Sequence, residues 1–499
     1  MATLRTIEKM KATIQNPESL KLLAGGRWLD SSSQDAHPTF NPGTGEAIAT
    51  VPFATREEVS TAVEAAQEAF DSWRKVPITE RVRFIFKMKE VMQKHAEELA
   101  TINTQNHGKT LEESRGDVMR ALENVDTAIA AAYTLAKGET LDDVSRDVDV
   151  QLEKEPLGVF SIVCPFNFPL MIPFWFIPYA IVLGDTVVVK PSELTPVPMQ
   201  VAARFIQDEV GLPPGVLNIV HGGKDVVEAL IAHKDTKGVT FVGSTPVAKE
   251  VFRLAGQHGK RAVVNGGAKN SVVVQPDADL NRFMPSIVSS FFGNTGQRCL
   301  AGSNLLTIGK AHESALPKFI GGAKELRIGY GLEEGIQMGP LVSQSARERV
   351  QRHLETAARE GAKIVSDGRA LKVTEHPEGF YLGASVLDGV DPSMTVAKEE
   401  VFGPLASVIQ TESLDDALDV INKGTGFGNM ACIYTSSGRS AREFRRGANV
   451  GNVGVNIGVA APPAYFPFGG RGDSFYGTLH AQVDTVDFFT DKKVTIYRW

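Results

Sequence analysis

LGVFSIVCPFNFPLMIPFWFIPYAIVLGDTVVVKPSE, residues 157–193, decides between a membrane span and a packed α/β fold. From Leu157 to Val189 nearly every residue is apolar, and a bilayer needs only about 20 such residues in one helix. Proline settles the choice. Pro165, Pro169, Pro173 and Pro178, with the amide of Asn167, would break a helix repeatedly and leave backbone groups unsatisfied in lipid. The stretch therefore reads as a buried strand, a loop and a helix start.

Outward from it, short β-branched runs at 159–163, 186–189, 217–220, 239–242 and 262–264 alternate with helical segments. That pattern predicts βαβ units and a parallel sheet covered on both faces, with ligands beyond the carboxyl ends of its strands. A second alternation of helix and strand occupies roughly residues 270–468. Upstream, Thr55 and Glu58 form a capping box ahead of Val59, Val63, Ala66, Phe70 and Trp73, one face of a helix. Further helical patterns run over 79–102 and 111–135. At 147–153 the period changes to two, marking a strand with one wet face, and 493–499 has the same character. The two are expected to form a small projecting sheet that pairs across subunits.

The chain has 499 residues, 42% hydrophobic and 22% charged, with 52 basic against 59 acidic side chains and a formal net charge of −7. This length suggests two or three domains with a cleft between them. Nucleic acid is an unsuitable main partner because phosphate neutralisation needs clustered Lys and Arg. Three cysteines cannot all pair with one another, which favours a reducing compartment. The N-terminal residues lack an apolar core segment and carry Glu8 and Glu18 where a transit peptide is poor in acids. A cytoplasmic protein is expected.

Lys190-Pro191-Ser192-Glu193 closes one strand and puts a cation and a carboxylate at the sheet's carboxyl edge, where they suit the vicinal hydroxyls of a ribose or, equally, a plain exposed loop. Phe241-Val242-Gly243-Ser244-Thr245-Pro246 ends another strand and starts a helix, whose N-terminal amides suit a phosphate or a simple capped turn. Neither G-x-G-x-x-G after a strand nor a Walker sequence is present, and without H-E-x-x-H or C-x-x-C no metal site is expected. Cys164 and Cys432 sit in apolar runs as inert core thiols. Cys299, in Gly296-Gln297-Arg298-Cys299, has a glycine-punctuated context beside a cation that is expected to lower its pKa and make it a nucleophile.

Jointly, Pro165-Phe166-Asn167-Phe168-Pro169, Lys190-Pro191-Ser192-Glu193, Phe241-Val242-Gly243-Ser244, Gly296-Gln297-Arg298-Cys299, Glu400-Val401-Phe402-Gly403-Pro404 and Phe466-Pro467-Phe468-Gly469-Gly470 resemble the aldehyde dehydrogenase superfamily over nearly the whole chain. The resemblance implies two Rossmann-like parallel-sheet domains and a small β oligomerisation arm. Residues 1–138 with 159–264 would bind NAD, 265–468 would form the catalytic domain, and 139–158 with 483–499 the arm of a homodimer or homotetramer. It also implies that Cys299 attacks an aldehyde while the Asn167 amide and the Cys299 backbone N–H hold the oxyanion. Phe166, Lys190, Glu193, Ser244, Glu400 and Phe402 would bind NAD, with Glu193 disfavouring a 2′-phosphate.

One departure narrows this. Hydrolytic members carry a glutamate that activates water for deacylation, but the matching stretch here is Val264-Asn265-Gly266-Gly267-Ala268-Lys269-Asn270. An amide at Asn265 cannot accept a proton, so the thioester is left for a better nucleophile, a thiol such as coenzyme A. This variation, with Ser474-Phe475-Tyr476-Gly477, resembles the CoA-acylating methylmalonate semialdehyde dehydrogenase branch, although Gly266 replaces a bulkier residue. That branch's carboxylate-binding arginines map onto Arg120 and Arg298. The resemblance then implies oxidation of methylmalonate or malonate semialdehyde to propionyl-CoA or acetyl-CoA with loss of carbon dioxide, as in valine catabolism. A hydrolytic NAD-dependent dehydrogenase of another small semialdehyde is the alternative; a catalytically dead binding protein and a nicotinamide-free acyltransferase are disfavoured by Cys299 with Asn167 and by Ser244 with Glu400.

Overall fold

The computed structural model describes residues 19–478 and 483–499; the N-terminal Glu8 and Glu18 lie outside them. Two large sheets carry the fold. Five parallel strands, Val159–Val163, Thr186–Lys190, Leu217–Ile219, Thr236–Val242 and Arg261–Asn265, form the middle of an eight-stranded sheet. Antiparallel strands flank it: Leu22–Ala24 and Arg27–Leu29 at one edge, Phe475–Gly477 at the other. The four runs at 159–163, 186–190, 236–242 and 261–265 are almost wholly buried, as continuous β-branched strands of a doubly covered parallel sheet should be. A second, seven-stranded sheet has its central strands Leu405–Thr411, Gly302–Ile308, Asn270–Val274 and Met430–Tyr434 all parallel.

The apolar stretch at 157–193 is buried: its strand leads into the short helices Met171–Phe174 and Ile177–Leu183. Among the described residues no helix is long and apolar enough to cross a membrane. The Arg56–Trp73 helix begins with the capping box of Thr55 and Glu58, and the Trp73 indole N–H, buried at the far end, donates to the Ile181 carbonyl at 2.9 Å. The helical pattern at 79–102 is two helices, Ile78–Lys94 and Ala96–His107, divided at His95. His95 stacks on Phe205 with ring centroids 3.7 Å apart and meets Glu209 at 2.6 Å, so a tertiary contact fixes the break.

The Leu111–Thr134 helix carries a second capping box, Thr110 with Glu113. A separate three-stranded sheet pairs Thr490–Arg498 with Val148–Pro156 and that strand with Glu139–Ser145, a strand the alternation had not marked. Arg261, at the start of its strand, anchors this sheet by donating to the carbonyls of Asp487, Phe488 and Thr490. Leu141, Val494, Ile496 and Trp499 are exposed on it.

Candidate active site

The carboxyl ends of the parallel strands converge on one cavity of about 740 Å³, lined by Phe166, Asn167, Lys190, Glu193, Ser244, Gly266, Gly267, Cys299, Arg349, Glu400 and Phe402 among others. A second cavity of about 360 Å³ lies beside it, lined by Arg120, Glu123, Phe168, Trp175, Arg298, Cys299 and the segment around Ala461–Phe468. Cys299 belongs to both. The structure thus brings ten of the eleven residues singled out above into the walls of the two cavities, and the eleventh, Asn265, adjoins Gly266 at the end of its strand.

Cys299 sits on a rigid support. Asn294 and Thr295, at φ 52° and 55°, and Gly296, at 71°, form a left-handed run just before it. The Cys299 carbonyl is gripped by two amides, Asn270 Nδ2 and Asn429 Nδ2, each at 2.9 Å. The expectation of a lowered thiol pKa is overturned: burial, reinforced by the nearby Glu400 carboxylate, pushes it up to about 12. The neighbouring cation opposes this weakly, since the Arg298 guanidinium is engaged by Glu113 at 2.9 Å. Backbone N–H groups of Cys299 and Leu300 also favour the thiolate, but less strongly than burial disfavours it. Cys164 and Cys432 are buried, with pKa values likewise raised to about 12.

Asn167 is buried, and its Nδ2 donates to the Gln297 carbonyl at 3.1 Å, tying its turn to the cysteine loop. Asn265 is 4% exposed, and neither its amide oxygen nor its nitrogen finds a hydrogen-bond partner. Its strand pairs with Phe475–Gly477, and a Cβ on Gly266 would lie 2.5 Å from the Asp473 carbonyl oxygen. The late Ser474-Phe475-Tyr476-Gly477 segment and the unusual Gly266 are therefore one packing feature: the chain at Asp473–Ser474, just before strand 475–477, runs so close that only glycine fits.

In the larger cavity Lys190 Nζ donates to the Gly222 and Pro191 carbonyls and reaches Glu193 at 3.3 Å, leaving the Glu193 carboxylate half-exposed. Ser244 is the N-cap of the Thr245–Gln257 helix, yet its hydroxyl makes no capping bond. Phe166 and Phe402 meet edge to face at 5.7 Å, and Phe402 holds a left-handed φ of 52°. Glu400 accepts from the Ala268 N–H at 2.8 Å; burial pushes its pKa up to about 7, against the pull of that N–H and of Lys269, whose own pKa burial lowers. A Cβ on Gly267 would run into the Glu400 carboxylate, so this glycine lets the acid approach the chain.

In the smaller cavity Arg120 and Arg298 each carry an acidic neighbour, Glu123 at 2.7 Å and Glu113 at 2.9 Å. Several residues were not legible beforehand: Lys109, Glu113 and Asp117 at the smaller cavity, and Asn270 and Asn429 behind Cys299. Only the Thr110–Glu113 capping box could have flagged the first group, because a Thr-x-x-Glu spacing fixes where that helix starts.

The aldehyde dehydrogenase family model matches residues 28–495. Malonate-semialdehyde dehydrogenase 2 of Geobacillus kaustophilus is 43% identical over 97% of this chain and 99% of its own length, and the malonate-semialdehyde dehydrogenase of Halalkalibacterium halodurans is 42% identical over 98% and 100%. Among solved structures, the methylmalonate-semialdehyde dehydrogenase of Oceanimonas doudoroffii superposes with a TM-score of 0.94 at 38% identity, covering 97% of this chain and 98% of that one. A Sinorhizobium meliloti protein complexed with NAD gives 0.95 at 34% identity, covering 97% and 99%.

Proposed function

The chain belongs to the aldehyde dehydrogenase family, and from that premise we propose that it oxidises malonate or methylmalonate semialdehyde with NAD and delivers the acyl group to coenzyme A. The observation that carries this is the position of Cys299, the one residue with a nucleophilic side chain common to a cavity with two arginines and a cavity with dinucleotide-type groups.

The Cys299 thiol gives its proton to solvent water as sulfur bonds to the aldehyde carbon, and the carbonyl π electrons move to oxygen, which becomes an oxyanion. Asn167, with the Cys299 backbone N–H, stabilises that charge. Preorganised donors of this kind are each worth about 2.7 to 4 kcal/mol. Arg120 and Arg298 grip the substrate's carboxylate, each charged hydrogen bond contributing roughly 1.5 to 3 kcal/mol. Relatives named for these two semialdehydes, covering almost the full chain, support an acidic substrate.

The larger cavity fits a dinucleotide. The free Ser244 hydroxyl and the amides of a 13-residue helix would take the pyrophosphate, Lys190 and Glu193 would hold a ribose, and Glu400 with Phe166 and Phe402 would meet the nicotinamide end. NAD, when bound, supplies a two-electron acceptor for the hydride released as the adduct's C–H bond breaks and its C=O re-forms. Glu193 disfavours the extra phosphate of NADP.

The product on Cys299 is a thioester. Asn265 has no proton-accepting group, so water is not activated, and the thiol of coenzyme A attacks the acyl carbon while the Cys299 sulfur leaves. Loss of carbon dioxide from the β-carboxylate gives acetyl-CoA or propionyl-CoA. The half-buried Glu400, with its pKa pushed up to about 7, favours a second reading in which it replaces the missing base and the thioester is hydrolysed. Initial rates of NADH formation from methylmalonate semialdehyde with and without coenzyme A decide between them. A strong rise with coenzyme A is expected, and equal rates would establish hydrolysis. The exposed apolar residues of the three-stranded sheet support self-association into an even-numbered assembly.

A further inference from the structure

Beneath the smaller cavity lies an ion pair without any access to solvent. The side chains of Lys109 and Asp117 are both 0% exposed, with Nζ and Oδ2 3.1 Å apart. A buried pair of this kind is a poor source of stability, because desolvation of the two charges offsets most of their attraction. Apart from one bond to Asn103, the hydrogen bonds and ring contact it makes go to the turn that carries Asn167. Lys109 Nζ donates to the Asn167 carbonyl at 2.7 Å and stands 4.3 Å from the centre of the Phe168 ring. Asp117 Oδ1 accepts from the Met171 N–H at 2.7 Å, while Oδ2 also accepts from Asn103 Nδ2 at 2.9 Å. One ion pair therefore fastens both ends of residues 167–171.

The pair is itself set in place. Lys109 directly precedes the capping box of Thr110 and Glu113, and Asp117 lies two turns into the helix that this box starts. Between them in sequence, Glu113 reaches across to the Asn294 N–H and to Arg298, on the loop of Cys299. The first two turns of this helix, with Lys109 just ahead of them, thus face both the Asn167 turn, through Lys109 and Asp117, and the Cys299 loop, through Glu113.

We propose that the Lys109–Asp117 pair is a positioning device that sets the Asn167 amide where the developing oxyanion forms, so that it governs the rate of thioester formation and not the affinity for substrate. The inference rests on the role given to Asn167 above. Phe168, in contact with the Lys109 cation, lines the cavity but offers no charge to a substrate carboxylate, so acidic and neutral aldehydes should depend on the pair alike.

The test uses the full-length double variant Lys109→Met/Asp117→Asn, which removes both charges together and leaves no lone buried ion. The first-order rate constant of the NADH burst is read with methylmalonate semialdehyde and with propanal. Because that constant is independent of the amount of active protein, incomplete folding lowers only the amplitude. A fall of at least tenfold for both aldehydes, with each KM within twofold of the parent's, is expected. A burst at the parent's rate, or a loss seen only as raised KM, overturns the inference. Should the double variant be insoluble, Asp117→Asn alone is read the same way, with a fall of at least threefold expected and an unchanged burst refuting the idea. Asn167→Ala run in parallel separates the two levels: an unaffected burst there removes the oxyanion role itself, whereas a slowed burst there beside an unchanged double variant removes only the positioning role.

Discussion

Replacing Asn265 by glutamate should convert the chain toward hydrolysis, and the structure sets the size of the effect. Neither amide atom of Asn265 has a partner, so the substitution breaks no hydrogen bond. The site is buried at 4% exposure next to Gly266, which lines the larger cavity together with Glu400, whose pKa desolvation pushes up to about 7. Burial should likewise raise the pKa of a carboxyl at position 265 toward neutrality, where a general base works best. General-base assistance contributes typically about 10²- to 10⁴-fold. The lower end applies to a carboxyl only partly ionised at pH 7, so Asn265→Glu should raise steady-state NADH formation without coenzyme A by about a hundredfold, or about 2.7 kcal/mol of barrier. The rate should climb with pH through neutrality as the base ionises, and product analysis should find free acid even with coenzyme A present. A variant that keeps its NADH burst but shows no gain in coenzyme-A-independent turnover would refute the claim that position 265 controls the fate of the thioester.

Asn167→Ala should slow the NADH burst about a hundredfold or more, through loss of one oxyanion donor, as stopped-flow absorbance would measure. Arg120→Leu and Arg298→Leu should each raise KM for methylmalonate semialdehyde by roughly ten- to a hundredfold, from the 1.5 to 3 kcal/mol of a charged hydrogen bond, and leave KM for propanal within a few-fold. Arg298→Leu should cost stability as well, because it strips Glu113 of its counter-ion. Glu400→Gln tests a pH effect. The Glu400 pKa is raised from 4.5 to about 7, so the folded state holds a proton that the unfolded state releases, and this contribution is present below pH 4.5 and lost as pH rises through 7. Glutamine has no such proton, so the parent's melting temperature should decline relative to the variant's between about pH 5 and 7.5; parallel melting curves over that range would expose the idea as wrong.

Much of this molecule could be read locally. The capping box at Thr55 and the buried runs at 159–163 and 186–190 depend on near neighbours and appear where their periodicity puts them. The break at His95 does not, since it is fixed by Phe205 and Glu209, more than a hundred residues away. The site shows the same division. Lys190, Ser244, Cys299 and Glu400 carry chemistry in their own side chains, so strand ends and glycine context expose them. Lys109, Glu113 and Asp117 recur at four-residue spacing on a helix start, a pattern that ordinarily means a solvated face. They become internal where the 167–171 turn, Asn103 and the Asn294–Arg298 loop pack against them. The Cys299 thiol misled for a related reason: its neighbour in sequence is a cation, but its neighbours in space are apolar groups and Glu400.

The left-handed run before Cys299 shows how that sulfur can serve two cavities. A positive φ costs a non-glycine residue roughly 1 to 2 kcal/mol, and for a β-branched residue such as Thr295 it is rare, so Asn294 and Thr295 together store about 2 to 4 kcal/mol of strain. Nearby bonds offset it. Thr295 Oγ1 donates to the Gly339 carbonyl at 2.9 Å, the Val342 N–H donates to Gln297 Oε1 at 3.1 Å, Glu113 receives the Asn294 N–H, and Gln297 N–H returns to the Asn294 carbonyl at 2.9 Å. At about 0.5 to 1.5 kcal/mol each, four such bonds contribute about 2 to 6 kcal/mol, enough to hold the conformation. With the Cys299 carbonyl also pinned by Asn270 and Asn429, the backbone has little freedom to shift between the two cavities. Rotation about the Cα–Cβ bond remains. On the proposed function, the sulfur would then meet the aldehyde between the arginines and the dinucleotide groups, and present the acyl group to the incoming thiol, without any rearrangement of the loop that bears it.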